Sequence, residues 1–452
     1  MWSKDRASAG DPSAREPGSG RPLVGTERAL FAFSRLSPLN LVVMVRLNGP
    51  ALDDLLPHAL DAAQQRHPLL RARIAGEPSR PRFDVSPPGS ASGELGPIPL
   101  RHLHGTDASA LGVVEEEMNK PFEPNRGPLA RLTYISGVGP ETDLVLSLHH
   151  AIADGTSTAN LVHELLDWCR ARLEGDDTPP LAPLTVPPPL TDVLPADLRG
   201  MRRYSQALRL VVRQGSDELA YRLGSRQQRR PIPPPGRAVT RMLSLDRDAT
   251  TSLVDQARRH RLPLTSLLSA ALLWQVSALL YGARPCTMRA IVWVDLRSHL
   301  DPPVGAETLG CYVSMLRFAV KVDPRSGFST LAAEVQDRIE QSVRRGDRVP
   351  AALVSAPLAR IAVRWPVGRL GTTALSYAPA PTIHQSYGPI EVRELRAFVS
   401  NARLGAELAA ASGVSEGALW CNLLYLDSEI GAEIAAAVGE GLLSTLVDFA
   451  KG

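Results

Sequence analysis

Lysine is nearly absent from the 452 residues: it stands only at positions 4, 120, 321 and 451, so the basic residues are almost all arginine. The formal net charge is +3, too small for the electrostatic footprint of a nucleic-acid binder. Cysteine is scarce as well. Cys169, Cys286, Cys311 and Cys421 stand far apart, without C-x-x-C spacing, and each adjoins apolar residues. That excludes a disulfide scaffold and points to buried, reduced thiols in a cytoplasmic protein. Neither Cys nor His shows ligand spacing, so no metal or redox cofactor is implied. No uninterrupted apolar run reaches the roughly 20 residues of a membrane span. The longest, Leu264 to Tyr281, is broken by Thr265, Ser266, Ser269, Gln275 and Ser277 and reads as a buried helix started after Pro263. The first 21 residues, through Arg21, lack a leader-type apolar core and have the Gly, Ser, Pro and charge content of a disordered tail.

What is present is an ordinary globular composition, 44% hydrophobic and 21% charged, in a chain long enough for two cores. Proline marks the division. Thr178 to Pro195 and Arg230 to Gly236 carry clustered prolines, which stop regular structure and give extended connections. The expected organisation is a first domain over 22–177, a Pro/Arg-rich connection over 178–237 and a second domain over 238–452. The expected class is α/β: helical spacing of Leu52, Leu55, Leu56, Ala59, Leu60 and Ala63 precedes strand-like alternation at Leu70, Ala72 and Ile74. Further strands are expected at Leu132–Ile135, Asp143–His150, Ala290–Val294, Tyr312–Val320 and Ala418–Leu426.

The segment His149-His150-Ala151-Ile152-Ala153-Asp154-Gly155 carries the chemistry. Period-two alternation puts Leu144, Leu146, Leu148 and His150 on one face of a strand, and Val145, Ser147 and His149 on the other. Gly155 supplies a turn and Thr156-Ser157 an N-cap for the next helix. His150 therefore ends a buried strand at a strand-to-helix junction, where sites in α/β proteins form. A partly desolvated, neutral imidazole there suits a general base. An adjacent His pair arises by chance about 0.2 times in such a chain, and with Asp and Gly at these offsets roughly one time in a thousand.

The segment resembles the HHxxxDG motif of the condensation and thioester-dependent acyltransferase superfamily related to chloramphenicol acetyltransferase. Arg66-His67-Pro68-Leu69-Leu70-Arg71 is similar to its early R-H-x-x-L-R element. Pro121-Phe122 with Gly127-Pro128-Leu129-Ala130-Arg131 is similar to the strand before the motif. Leu309-Gly310-Cys311-Tyr312-Val313-Ser314 resembles its later G-x-F-V-N element, with Tyr and Ser replacing Phe and Asn. The nearest likeness is to polyketide-associated O-acyltransferases. The resemblance implies two chloramphenicol acetyltransferase-like subdomains, each a mixed sheet flanked by helices, with a tunnel between them. It implies His150 as catalytic base, His149 as a packing residue, Asp154 in a salt bridge that fixes the loop, and Gly155 as space beside the base. Arg297, in Asp295-Leu296-Arg297 at a strand end, is the expected partner of Asp154. Ser314, Ser376 and Tyr377 are candidates for substrate contact or oxyanion stabilisation, although Ser-Tyr-Ala-Pro stands where many relatives have S-N-x-G.

The resemblance also implies an acyl-coenzyme A or phosphopantetheine-linked donor as substrate rather than a bound cofactor. It implies an alcohol or amine acceptor and, as a further partner, an acyl carrier protein; a monomer is expected. An O-acyltransferase is the leading expectation. A stand-alone amide-forming condensation enzyme and a non-catalytic scaffold of the same fold are the alternatives. The Arg-rich stretch Met201 to Arg230 reads as a solvated helical face, or as a docking face for an acidic carrier protein or lipid headgroups.

Overall fold

The computed structural model describes residues 20–452 except 88–94, 106–108, 138, 177–180, 225–229, 283, 367, 379–382 and 402. Two six-stranded sheets carry the fold. The first runs, in spatial order, Ser386–Tyr387, Ile390–Val399, Asn40–Asn48, Glu141–His149, Ala130–Ser136 and Leu100–His104. The second runs Val313–Val322, Cys286–Asp295, Gly371–Ala378, Ala406–Ser415, Ala418–Leu426 and Ala238–Leu245. Both are mixed. Leu100–His104 pairs parallel to Ala130–Ser136, and Gly371–Ala378 is parallel to both its neighbours. A small sheet of Arg21–Pro22, Arg82–Val85 and Ala72–Ala75 sits beside the first.

The expected α/β class, two mixed sheets with helices on them, is what the chain adopts. Leu144, Leu146 and Leu148 of the central strand enter one core with Leu56, Ala59 and Leu60 of helix Leu56–Arg66 and Leu161, Leu165 and Leu166 of helix Gly155–Leu173. Val145, on the opposite face, packs with Val42, Met44, Val113 and Met118 and with Trp420 and Leu424 of the second sheet. This alternation is what a sheet covered on both faces requires. The helix Leu264–Leu280 is apolar all round and buried in the second core between helix Phe328–Arg344 and helix Ala432–Lys451. Among the described residues no single helix is long and apolar enough to cross a membrane.

Two local expectations change. Arg21 belongs to the ordered chain rather than to a tail: it lies in a strand, 1% exposed, and its guanidinium holds Glu27 with contacts of 2.6 and 2.8 Å. Residues 1–19 of the expected tail lie outside the described residues. Leu70 falls in a 3-10 turn, Pro68–Arg71, because Pro68 favours a turn start, and the strand begins at Ala72. Strand Ile390–Val399, late in the chain, pairs antiparallel with Asn40–Asn48 of the first sheet, placing Val399 opposite Leu41, while Phe398 and Arg396 still reach the second sheet. The four cysteines are free and buried.

Candidate active site

The strand ends at His149, paired with Asn40, and the ladder runs one bond further: the His150 N–H donates to Leu39 O at 3.1 Å. The two imidazoles then part company. The His149 Nδ1 accepts the Ala151 N–H at 3.1 Å, so its proton sits on Nε2, which lies 3.1 Å from Ser34 Oγ. With both nitrogens engaged and Phe31 and Phe122 against its ring, His149 is a packed residue. Burial, reinforced by the neighbouring His150, pushes its pKa down to about 3.

The His150 ring is half-buried, and its Nδ1 lies 2.9 Å from Ala153 O. A carbonyl only accepts, so Nδ1 carries the proton and Nε2 keeps its lone pair. Burial lowers the His150 pKa below the ordinary 6.5, against the opposing pull of the Ala153 carbonyl and the Asp154 charge. The base form is therefore present at neutral pH in a defined tautomer. Asp154 does not touch the ring nitrogen; the backbone of Ala153 orients it instead.

Asp154 faces the other way. Fully buried, it has extended backbone angles and caps helix Gly155–Leu173. The Ser157 N–H and Oγ each lie 3.0 Å from its Oδ1, and the Asp154 N–H donates back to Ser157 Oγ at 3.2 Å. The N-cap is thus Asp154 and not Thr156-Ser157, because its short carboxylate reaches the N3 amide while Ser157 completes the reciprocal bond. Oδ2 accepts Arg297 Nη1 at 2.5 Å and the Tyr312 N–H at 2.8 Å. Arg297 Nη2 also donates to Thr308 O and Gly310 O, both at 3.2 Å. Two contacts outside the expected set extend the clamp: Thr156 Oγ1 donates to Asp295 Oδ2 at 2.6 Å, and Ser157 Oγ lies 3.1 Å from Gly310 O. The loop after His150 is thereby tied to the end of strand Cys286–Asp295 and to residues 308–312. Such a buried ion pair fixes geometry more than it adds stability.

Gly155 is exposed at the first turn of the helix, and a Cβ there meets nothing within 4 Å. The remaining candidates lie apart. Ser314, fully buried two residues after Tyr312, donates its hydroxyl to Arg348 O at 2.6 Å, so its proton is committed away from an oxyanion. Ser376 is exposed on strand Gly371–Ala378, opposite Ala411; Tyr377 is half-buried against the second core. Among the described residues no hydrogen bond joins Ser376 or Tyr377 to the His150 loop. A cavity of about 510 Å³ lies elsewhere, between helix Met201–Gly224 and strand Val313–Val322. The early element Arg66–Arg71 acts as a brace: Arg66 Nε and His67 Nε2 both reach Glu164 Oε2 of the helix after the motif, at 3.1 and 2.7 Å.

Known proteins match both halves of the chain. Residues 33–185 match the condensation domain family, and residues 234–383 match the family described as the phthiocerol/phthiodiolone dimycocerosyl transferase C-terminus. The chain is 26% identical to a phosphinothricin tripeptide synthetase of Streptomyces viridochromogenes over 72% of its own length, but spans only 30% of that synthetase. It is 25% identical to the phthiocerol/phthiodiolone dimycocerosyl transferase of Mycobacterium ulcerans, over 67% of this chain and 71% of that one. Polyketide synthase associated protein 5 of Mycobacterium tuberculosis has the same fold, with TM-score 0.68, 20% identity, and coverage of 95% of this chain and all of that one. The first half of the chain is thus similar to condensation domains and the second to the dimycocerosyl transferase C-terminus, on a fold shared with polyketide synthase associated protein 5.

Proposed function

We propose that the protein transfers an acyl group from a thioester to a hydroxyl acceptor, with His150 as general base. The observation that carries this reading is the tautomer: Nδ1–H is held by Ala153 O, and Nε2 is left with a free lone pair on a half-buried ring. In the proposed reaction Nε2 takes the proton of the acceptor hydroxyl as its oxygen attacks the thioester carbonyl. The tetrahedral intermediate collapses with cleavage of the C–S bond, and the imidazolium returns the proton to the departing thiolate. Asp154 and Arg297 act as positioning residues, holding the loop through the clamp to the second sheet.

The donor is coenzyme A- or phosphopantetheine-linked, and donor and acceptor approach His150 along a passage between the two halves, 22–177 and 238–452, in a monomer. The cytoplasm, where buried thiols stay reduced, is the proposed site of action. An ester product is favoured by the likeness to the dimycocerosyl transferase, which extends over 71% of that enzyme. The likeness to the tripeptide synthetase supports amide formation as the second reading. The test is a panel of acyl thioesters with alcohols and amines, read by thiol release and product mass. Replacement of His150 by Ala is expected to lower turnover by about 10²–10⁴-fold with unfolding unchanged. An amide product selects the second reading, and turnover indifferent to His150 rejects both.

A further inference from the structure

Helix Met201–Gly224 has two apolar stripes where packing requires one. At about 100° per residue, Ala207, Leu210 and Tyr221 share the side that packs on helix Arg348–Arg364 and the second sheet. Met201, Tyr204, Leu208, Val212 and Leu219 fall on the opposite side, and each is more than half exposed. The two helices run antiparallel, since Arg213 pairs with Asp347 while Ala207 and Leu210 meet Val354 and Leu358. The end of Arg348–Arg364 that follows Leu358 therefore lies beside the start of Met201–Gly224. It carries exposed Ile361 and Trp365, with the Arg364 guanidinium over the Trp365 ring.

Around the stripe from Met201 to Val212 the charges have one sign, while Asp217 and Glu218 adjoin Leu219 at its far end. Residues 201–216 contain Arg202, Arg203, Arg209 and Arg213 and no acidic residue, and helix Arg348–Arg364 contains none either. Arg202 and Arg209 are exposed on the flank of the outward stripe, and no ion pair engages either among the described residues. Uncompensated arginines beside an exposed apolar stripe match an interface that is anionic at its surface and apolar beneath. We infer that this outward face of helix Met201–Gly224 binds an anionic lipid surface, with the stripe inserted among the acyl chains and Arg202 and Arg209 on the headgroups. The surface is independent of the chemistry at His150. Arg226 and Arg229, further basic residues of this stretch, lie outside the described residues.

The test is co-flotation of the full chain with vesicles of phosphatidylcholine alone or mixed equally with phosphatidylglycerol. The mixed vesicles are expected to recover at least about tenfold more protein, and less as salt rises. Replacing Leu208 and Val212 together by Ser is expected to reduce recovery on mixed vesicles by about tenfold or more. Replacing Arg202 and Arg209 together by Glu is expected to abolish the preference for phosphatidylglycerol. These side chains are exposed, so thermal unfolding and thioester turnover stay unchanged in both variants. Equal, weak recovery on both vesicles overturns the inference. So does a dimer in sedimentation velocity that the Leu208/Val212 variant dissolves, or binding of an acidic carrier protein without vesicle binding.

Discussion

Replacing Arg297 by Ala removes the guanidinium from a carboxylate that has no contact with water. Asp154 keeps three donors, the Ser157 N–H and Oγ and the Tyr312 N–H, but loses its only cationic partner, at 2.5 Å. Thr308 O and Gly310 O each lose the Nη2 bond, since the one Ser157 hydroxyl proton is committed to Asp154 Oδ1. Breaking a buried pair from one side costs about 3–5 kcal/mol, because the remaining charge stays desolvated. The single variant is expected in that range by urea unfolding followed through tryptophan fluorescence. Asp154→Ala is expected to cost a similar amount, since it strands the guanidinium and deletes a helix cap worth about 1 kcal/mol. The double variant removes both charges, and its cost is expected to fall short of the sum by about 1–3 kcal/mol. Arg297→Lys keeps the charge but not the fork to Thr308 and Gly310, and should lie between wild type and Arg297→Ala. In turnover, a displacement of the loop by about 1 Å costs around 10²-fold, so Arg297→Ala is expected to lower kcat more than it raises KM. Single-variant costs that add within about 0.5 kcal/mol would refute the clamp.

Protonation of His149 couples acid to unfolding. Its folded pKa, about 3, lies below the ordinary 6.5, so the unfolded chain takes up the proton first. Its contribution is intact above pH 6.5 and is lost as pH falls toward 3, at about 1.4 kcal/mol per pH unit; in His149→Gln this component of the slope should vanish. Burial also lowers the His150 pKa, so the acid limb of kcat/KM is expected below 6.5, and a midpoint above that value would exclude His150 as the titrating base. Gly155→Ala and Gly155→Leu should leave thermal stability equal or higher, as no atom meets the added Cβ. A fall of tenfold or more in kcat/KM for Leu would mark that space as substrate volume, and unchanged kinetics would exclude it. Ser314→Ala loses the 2.6 Å bond to Arg348 O and is expected to cost about 1–2 kcal/mol with kcat unchanged, whereas a 10²-fold loss of kcat would reinstate an oxyanion role.

Much of the local structure was legible in the chain. The alternation of Leu144, Leu146 and Leu148 against Val145 foretold which faces enter which core, and the interrupted run at Leu264 foretold a core helix. The Arg-rich stretch from Met201 was legible as a helix, but not the fact that one of its two apolar stripes would stay uncovered. Arg66 and His67 were recognisable only as a motif. Their joint hold on Glu164 depends on how two helices cross.

By itself the sequence determined periodicities, the breaks between them and the His149–Gly155 segment, because these depend on residues a few positions apart. Tertiary structure decided everything that depends on distant partners. Only folding showed that Ala153 O orients His150, that Ser34 occupies His149, that Asp154 rather than Thr156-Ser157 caps the helix, and that Thr156 meets Asp295. The crossing of Ile390–Val399 to the first sheet belongs here too: its alternation marks a strand, while its partner at Asn40–Asn48 is chosen by which open edge has a complementary buried face. Arg297 and Asp154 are 143 positions apart, and no local pattern reports a pair at that separation; the family resemblance alone anticipated it. Their contact arises because burying a carboxylate demands a cation, and the folded chain brings one arginine within reach.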